Sequence, residues 1–595
     1  MSSLHFDTIS EKSANIMVGS KERETIRKIA LLNALNYSGK AQFQPVLGKL
    51  LTEQPQLKAK IKEIMPLINE IVKEVNALSL EKQKKIVEEK WPEALHKEKV
   101  EEERTLPRLP NVEKYAHVVT RFAPNPDCMI HLGNARAIIL CDEYAKMYKG
   151  SFRLRFEDTD PRLKRSALPF YPAICEDLNW LGCTWDIEVI QSDRLSAYYE
   201  YAEKLLMSGG AYVCTCTKER FHKLVTAKKP CPCRDLPPSE HMARWKCMLD
   251  GTYKEGKAVV RVKTDLNHPN PAVRDWPALR IINPKRYPHP RVGSKYRVWP
   301  LYNLSAGIDD HLMEITHIIR GKEHLTNQTR QEIMYKHLGW KYPEAIHYGR
   351  MKITGGLLSK SKIVEGVKKG VFTGWDDPRL ATFLALRKRG IQPETIRRLI
   401  IEVGPKTVDV TLSWENLYAI NRKIIDPVAN RYFFVRDPRK LTVKNLSETI
   451  TAHLLLHPDD KKRGFRESKV EPQKGEAEFW ISTQDATLLK KGKFVRLMGL
   501  FNIQIKNVQK GVIAADFHSK GHEEAKKLGA PLIHWLPAGT GIPCEVVMPD
   551  ATTARGIAED TCRQLKPNDI IQFERFGFVR VDGVNWKLTA YFAHR

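Results

Sequence analysis

The hydrophobic pattern between His117 and Asp158 constrains the fold more than any other feature of this 595-residue chain. HVVTRFA has the composition of a strand, PNPD is a turn, HLGNARAIILCDEYAKMY carries helical periodicity, Gly150 ends that helix, and FRLRFED reads as a second strand. Strand, turn, helix and strand in that order open a parallel α/β sheet. Helical patterns at PAICEDLNWLG and SAYYEYAEKLLMSGG continue it. A Cys- and Pro-rich stretch from Cys214 to about Arg297 is expected to be irregular. The α/β pattern then returns at HLMEITHIIRG and NQTRQEIMYKHLGW, and helices follow at DPRLATFLALRKRG and PETIRRLIIEVG.

The flanks follow other periods. From Glu22 to Lys90 apolar residues recur three to four apart, with a helix restart at Ser79 and a break at Trp91-Pro92. HKEKVEEERTLPRLPNVEK combines mixed charge with prolines and reads as a linker, or in its first half as a solvated helix tail. From about Asp426 onward short alternating strands dominate, with Asp582-Gly583 expected as a hairpin turn, and the close turn spacing predicts β-barrels.

Composition bounds the function. The chain is too long for one core, and 42% hydrophobic with 28% charged residues excludes a mostly disordered chain. No apolar run approaches the roughly 18 residues of a membrane span, and MSSLHFDTISEKS does not read as a secretory signal. Eleven cysteines, an odd count, fit a reducing compartment better than a disulfide scaffold, so a cytoplasmic location is expected. Lys and Arg total 97 against 70 Asp and Glu, a formal net charge of +27 that points to a polyanionic partner. Residues 1–104 hold 18 basic and 16 acidic side chains, so nearly all of the excess lies from Thr105 onward. Charge alone does not separate DNA, RNA and anionic lipid.

Two segments carry the chemistry. His131, Gly133 and Asn134 lie where a strand turns into a helix, and the free N–H groups and positive dipole end there favour phosphate. GLLSKSK, Gly356 to Lys362, sets two lysines and two hydroxyls in a glycine-preceded loop, suited to developing phosphate charge. Each alone has a plain structural reading, a capping histidine or a solvated basic loop. Cys214, Cys216, Cys231 and Cys233 form two CxC pairs whose four thiolates suit tetrahedral Zn²⁺. Reduced buried cysteines, or partial ligation with His222, are the alternatives.

With FAPNP, RFEDTDP, CEDLNWLG, YRVWPLYN, DDHLMEITHIIRGKEH, TGWDDPRL and SWENLYAINRKIIDP in order along nearly the whole chain, the sequence resembles the class I aminoacyl-tRNA synthetases. Within them it is most similar to the archaeal-type glutamyl-tRNA synthetases, kin to the glutaminyl enzymes. The resemblance implies a multidomain α/β protein: a helical appendage at 1–104 and the first half of a Rossmann-like catalytic domain at 105–213. An acceptor-stem-binding insertion would follow at 214–297, the second catalytic half at 298–350, the SKSK loop and a helical connection at 351–425, and antiparallel anticodon-binding β-barrels at 426–595. It implies ATP-dependent attachment of L-glutamate to tRNA(Glu) through a glutamyl-adenylate, by a monomer using ATP with Mg²⁺, and leaves tRNA(Gln) open as a second acceptor.

Residue by residue, the resemblance places His131, Gly133 and Asn134 at the HIGH signature that binds ATP phosphates, with Asn134 in place of the last histidine. It places Ser359, Lys360 and Ser361 at the end of KMSKS, whose first two letters are replaced by Leu357 and Leu358. His131 and Lys360 would be catalytic. Arg121, Ala123 and Asn125 match the amino-acid pocket, Glu157 the acid that holds the substrate ammonium, and Tyr302 stands nearby. Arg320 falls where the family faces an arginine toward the substrate's side-chain carboxylate, a bidentate pairing that reads Glu over Gln.

Bacterial glutamyl enzymes carry zinc in the same insertion with another ligand set. The N-terminal helices resemble the tRNA-binding tail of a tRNA amidotransferase, and shape contacts to tRNA or a plain stabilising bundle both fit them. In the barrels, Arg431, Tyr432, Arg575 and Phe576 are candidates for stacking on unpaired bases, with core packing as the alternative. A glutaminyl enzyme is opposed by Arg320 and by FAP at Phe122–Pro124. A small-molecule nucleotidylyltransferase would not need the barrels or the SKSK loop. A non-catalytic paralogue is opposed by Lys360, Glu157 and Arg320.

The charge placement makes a prediction. Deleting residues 1–104 removes only +2, so tRNA affinity and its salt slope should be nearly unchanged. A slope several units shallower in the truncated protein would show that the helices grip phosphate.

Overall fold

A computed structural model describes residues 20–37, 39–92, 105–356, 360–509 and 512–595; most of the expected linker lies outside these. The chain divides into two compact units, Met1–Arg104 and Thr105–Arg595.

The first unit is helical: Ser20–Asn36, Phe43–Glu53, Ile61–Asn76 and Leu80–Lys90. Ser79 caps the last helix, its side chain accepting from Lys82 N at 3.3 Å. Ile26, Ala30, Ile68, Ile71, Val75 and Val87 form its core. The buried Gln83 amide donates to the Gly39, Val75 and Leu78 carbonyls, tying two turns to that core.

In the second unit, strands Val119–Phe122, Ser151–Phe156 and Ile187–Ile190 form a parallel sheet in that order. Strands His317–Gly321 and Glu344–Tyr348 form a parallel pair. Thr316 N donates to Val119 O at 3.0 Å, which sets the pair beside the first strand. The connection order therefore reverses between the strand that ends at Phe122 and the one that ends at Gly321, and ligands of α/β sheets bind outside the carboxyl ends at such a switch. Helix Leu132–Met147 crosses between the first two strands. It turns back at Gly150, where a Cβ would lie 2.1 Å from Val118 O, so only glycine fits.

The stretch expected to be irregular is not. Helices Lys218–Thr226 and Pro238–Asp250 accompany a four-stranded antiparallel sheet, Ala211–Cys214, Val259–Val262, Pro277–Ile281 and Val298–Pro300. The sheet takes its outer strands from either side of the expected 214–297 boundaries. Buried Trp245, Trp276 and Trp299 supply a core of its own.

The segment around Ala381–Phe383 holds the first turn of helix Leu132–Met147. Leu132 N donates to Ala381 O at 2.8 Å and Phe383 N to Ile130 O at 3.0 Å. The guanidinium of Arg136, fully buried, donates to the carbonyls of Gly349, Gly404 and Lys406 at 2.7–3.0 Å.

The C-terminal part contains two seven-stranded sheets. The edge strands of one, Asn430–Tyr432 and Phe434–Arg436, are neighbours in the chain, as are Leu532–Ile533 and Leu536–Pro537 of the other. A sheet whose two edges belong to one short run must curl on itself, so both are barrel-like. They are not purely antiparallel, since each contains two parallel pairings. Asp582-Gly583 is not the hairpin turn: it lies inside strand Gly577–Val584 at a register shift, and the chain reverses at Asn585–Lys587. A glycine serves a bulge as readily as a turn. Of the base-stacking candidates, Arg431 is buried and bonds Ala429 O and Asp426, Arg575 is bidentate to Asp485, and Tyr432 and Phe576 pack into the core. Among the described residues no helix is long and apolar enough to cross a membrane.

Asp177, in helix Phe170–Trp180, is fully buried with neither oxygen hydrogen-bonded, and its nearest cation, Arg387, stands 3.8 Å away. Burial pushes its carboxyl up to about 7. The unfolded carboxyl ionises near pH 4 and the folded one near 7, so unfolding releases a proton between those limits and stability falls as pH rises through that window. Asp177→Asn should remove the decline, gaining on the order of 1–4 kcal/mol above pH 7 and little at pH 4. Thermal unfolding across pH 4–8 reads this; a gain independent of pH would refute it.

Candidate active site

A cavity of about 1270 Å³ opens at the switch point. Behind its Arg121 and Glu157 lining runs a buried charged network. Asp310, in helix Tyr302–Leu312, has no solvent exposure and accepts from Arg121 Nε at 3.0 Å, Arg121 Nη2 at 3.3 Å and Arg155 Nη1 at 2.7 Å. Arg155 Nη2 donates onward to Glu157 at 2.9 Å. Burial works against the Asp310 charge, but the two guanidinium groups overcome it and hold the carboxyl down to about 2. Burial raises Glu157 above the usual carboxylate range, against Arg155 and Arg121.

The third buried arginine differs. Arg320 ends its strand 5% exposed and donates through Nη1 to Gln331 Oε1 at 3.1 Å and Tyr302 OH at 3.5 Å, and through Nη2 to Tyr342 OH at 3.0 Å. Its Nε is buried without an acceptor. Among the described residues no carboxylate pairs with it.

His131, also lining the cavity, caps helix Leu132–Met147. Its Nδ1 accepts from Gly133 N at 3.0 Å, and Asn134 Oδ1 accepts from His131 N at 3.3 Å, a reciprocal capping box. Burial lowers the His131 pKa, so the ring is neutral at physiological pH. With Nδ1 accepting, the proton sits on Nε2, where the ring can donate.

Arg121, Ala123, Asn125, His131, Gly133, Asn134, Glu157, Tyr302 and Arg320 all line this one cavity. Asn125 Oδ1 is buried with no partner, while its amide donates to Asp127 and to Lys164 O. Ser361 is not among the lining residues. Lys360 opens helix Lys360–Lys368; its side chain, and Leu357, Leu358 and Ser359, lie outside the described residues.

Residues 117–427 match the family described as tRNA synthetases class I (E and Q), catalytic domain, and residues 429–519 and 532–582 match anti-codon binding domains of the same class. The chain is 53% identical over 575 residues to the glutamate–tRNA ligase of Pyrococcus furiosus, covering 96% of this chain and 99% of that one. The chain belongs to this family. It is also 53% identical over 580 residues to the glutamate–tRNA ligase of Thermococcus kodakarensis, and 43% identical over 572 residues to that of Methanothermobacter thermautotrophicus. In both cases 96% of this chain and 99% of the relative are covered.

Away from the cavity, the four cysteines converge. All are free thiols, and their Sγ atoms lie within 4.8 Å of one another, with Cys214–Cys231 at 3.8 Å and Cys216–Cys233 at 4.0 Å. Four sulfurs about 2.3 Å from a tetrahedral zinc stand about 3.8 Å apart, so the cluster fits the metal. His222 is exposed and outside the group.

Sequence reasoning missed Asp310, Gln331 and Tyr342. The signal for the first was present: two consecutive acids, Asp309-Asp310, in the last turn of a helix that carries no other charged residue before them, both buried here. Gln331 and Tyr342 carry no local signal, because only the fold brings them to Arg320.

Proposed function

We propose that this protein attaches L-glutamate to tRNA(Glu) in an ATP-dependent reaction through a glutamyl-adenylate. The observation that carries this reading is Arg320: a buried guanidinium on the cavity wall, held by the side-chain oxygens of Gln331, Tyr302 and Tyr342 with its Nε left without an acceptor, is suited to a carboxylate from the substrate. A glutaminyl enzyme would have no use for that charge.

In this reading Arg320 and Tyr302 take the side-chain carboxylate and Glu157 the ammonium. Ala123 and Asn125 border the amino acid. Arg121, its charge already paired with Asp310, frames the pocket. ATP enters as its magnesium complex against the start of helix Leu132–Met147, where His131 Nε2–H and the positive end of the helix dipole meet phosphate. The N–H groups of Leu132, Gly133 and Asn134 are already taken by Ala381 O, His131 Nδ1 and His131 O. Ser359, Lys360 and Ser361 approach the phosphates from the other side. The α-carboxylate attacks the α-phosphate in line and pyrophosphate leaves; the terminal tRNA hydroxyl then takes the glutamyl group from AMP. The residues contribute positioning and charge stabilisation, with no covalent enzyme intermediate. The barrels would read the anticodon, and Cys214, Cys216, Cys231 and Cys233 would hold a structural zinc that staples the insertion.

Two measurements test this. Cys231→Ser should release zinc and loosen the insertion, weakening acceptor-stem engagement more than ATP binding; purified protein without stoichiometric zinc by elemental analysis would exclude the metal. Arg320→Cys should lower kcat/KM for glutamate by on the order of a hundred- to a few thousand-fold, since an unpaired buried carboxylate costs about 3–5 kcal/mol. Glutamine should lose far less, and the KM for ATP should barely change. Arg320→Lys should recover only part of the loss, because an ammonium cannot form the planar fork. Equal losses for glutamate, glutamine and ATP would assign Arg320 to the scaffold instead.

A further inference from the structure

Arg320 is one of several buried arginines that meet no carboxylate. Arg136 and Arg274, however, are saturated by backbone carbonyls, whereas Arg320 is held by the side chains of Gln331, Tyr302 and Tyr342 and keeps its Nε without an acceptor. Arg121, on the same wall, and Arg155 behind it both pair with the Asp310 carboxylate. Arg320 instead rests on Gln331, which has no solvent exposure and sits in helix Leu325–Leu338. Gln331 Oε1 accepts from both Arg320 Nη1, at 3.1 Å, and Tyr342 OH, at 2.8 Å, while Tyr342 OH accepts from Arg320 Nη2. Gln331 Nε2 donates to the Asn303 carbonyl at 3.5 Å, which turns the amide so that its oxygen faces the guanidinium. The closed triangle of Arg320, Gln331 and Tyr342 fixes the fork without neutralising it.

We propose that Gln331, supported by Tyr342, is a positioning residue that sets glutamate specificity by holding Arg320 through an uncharged oxygen, so that the positive charge stays available until the substrate carboxylate arrives. A glutamate at this position would have nearly the same shape and would accept the same two hydrogen bonds, though it could not donate to the Asn303 carbonyl. It would also cancel the charge from inside the protein, leaving the substrate carboxylate to compete with a permanent one. The identity of one buried amide oxygen thus decides whether the arginine serves the substrate or the fold. This rests on the reading of Arg320 as the carboxylate reader.

The test compares two near-isosteric variants of the full-length protein, with glutamate, glutamine and ATP varied separately. Gln331→Glu should raise the KM for glutamate on the order of a hundredfold while kcat changes only a few-fold. The KM for ATP should hold, and the kcat/KM ratio of glutamate to glutamine should collapse. Gln331→Met removes the acceptor but adds no charge. It should raise the KM for glutamate about tenfold and keep the preference for glutamate. An unchanged Glu/Gln ratio in Gln331→Glu, or equal losses for all three substrates, would overturn the proposal. Should Gln331→Glu not fold, Gln331→Met decides: an unchanged glutamate KM overturns the positioning role. Wild-type protein that charges no glutamate, or Arg320→Cys with an unaltered Glu/Gln ratio, would instead sink the reading of Arg320 itself.

Discussion

The Asp310 carboxylate is the constraint on which the amino-acid end of the cavity depends. It joins three separate elements: Arg121 from the first strand, Arg155 from the second, and its own helix Tyr302–Leu312. In a low-dielectric interior two guanidinium groups at one spot repel strongly, and the shared anion turns that repulsion into cohesion. Its depressed pKa, about 2, places the stability it contributes above the ordinary carboxylate range, to be lost only as pH falls toward that value. Around physiological pH the network is therefore permanently ionised. Within the set of Arg121, Arg155, Arg320, Asp310 and Glu157, the two carboxylates bond Arg121 and Arg155 and neither bonds Arg320. A glutamate, with one net negative charge, completes that set; a glutamine does not.

Much of this was legible in the sequence where local periodicity and function coincide. The strand, turn, helix and strand around His131 appear in the structure because a 3.6-residue period and a two-residue period cannot be confused over that length. Arg320 was singled out by the family resemblance at THIIR, and the structure places it near the end of a strand at the switch point, where ligands of α/β sheets bind. The insertion was misjudged because its strands are three to five residues long and separated by Gly- and Pro-rich loops. Such strands pair across distances that no window spans. Asp582-Gly583 was misjudged because the register shift, set by pairing with Leu588–His594, decides between bulge and turn. Asp310 escaped notice for the opposite reason: its local appearance, an acidic pair on a helix, suits a solvated face, and its partner Arg121 lies 189 residues away. The curling of the two C-terminal sheets is likewise invisible locally, since it depends on two edge strands sharing one short run of chain.

Electrostatics then operates at two scales that hardly interfere. The formal +27 lies mostly on the surface from Thr105 onward, where ions screen it beyond about 8 Å at physiological ionic strength. It is suited to gathering a polyanion and is sensitive to salt. The charge at Arg320 is buried, too far from mobile ions to be screened in this way, and fixed in direction by Gln331 and Tyr342. Discrimination at such a site is asymmetric. A pocket built to pair a polar group rejects the analogue that lacks it far more strongly than an apolar pocket rejects one missing methylene, because the unpaired partner remains buried. Here the guanidinium is already unpaired in the empty protein, and its desolvation is part of the folded state. In the proposed reading of Arg320, a glutamate side chain relieves that cost on entering, whereas a neutral amide of equal size leaves most of it in place. On that reading, selection between two nearly isosteric amino acids needs no second, hydrolytic site; it follows from a cation kept buried and without an internal anion.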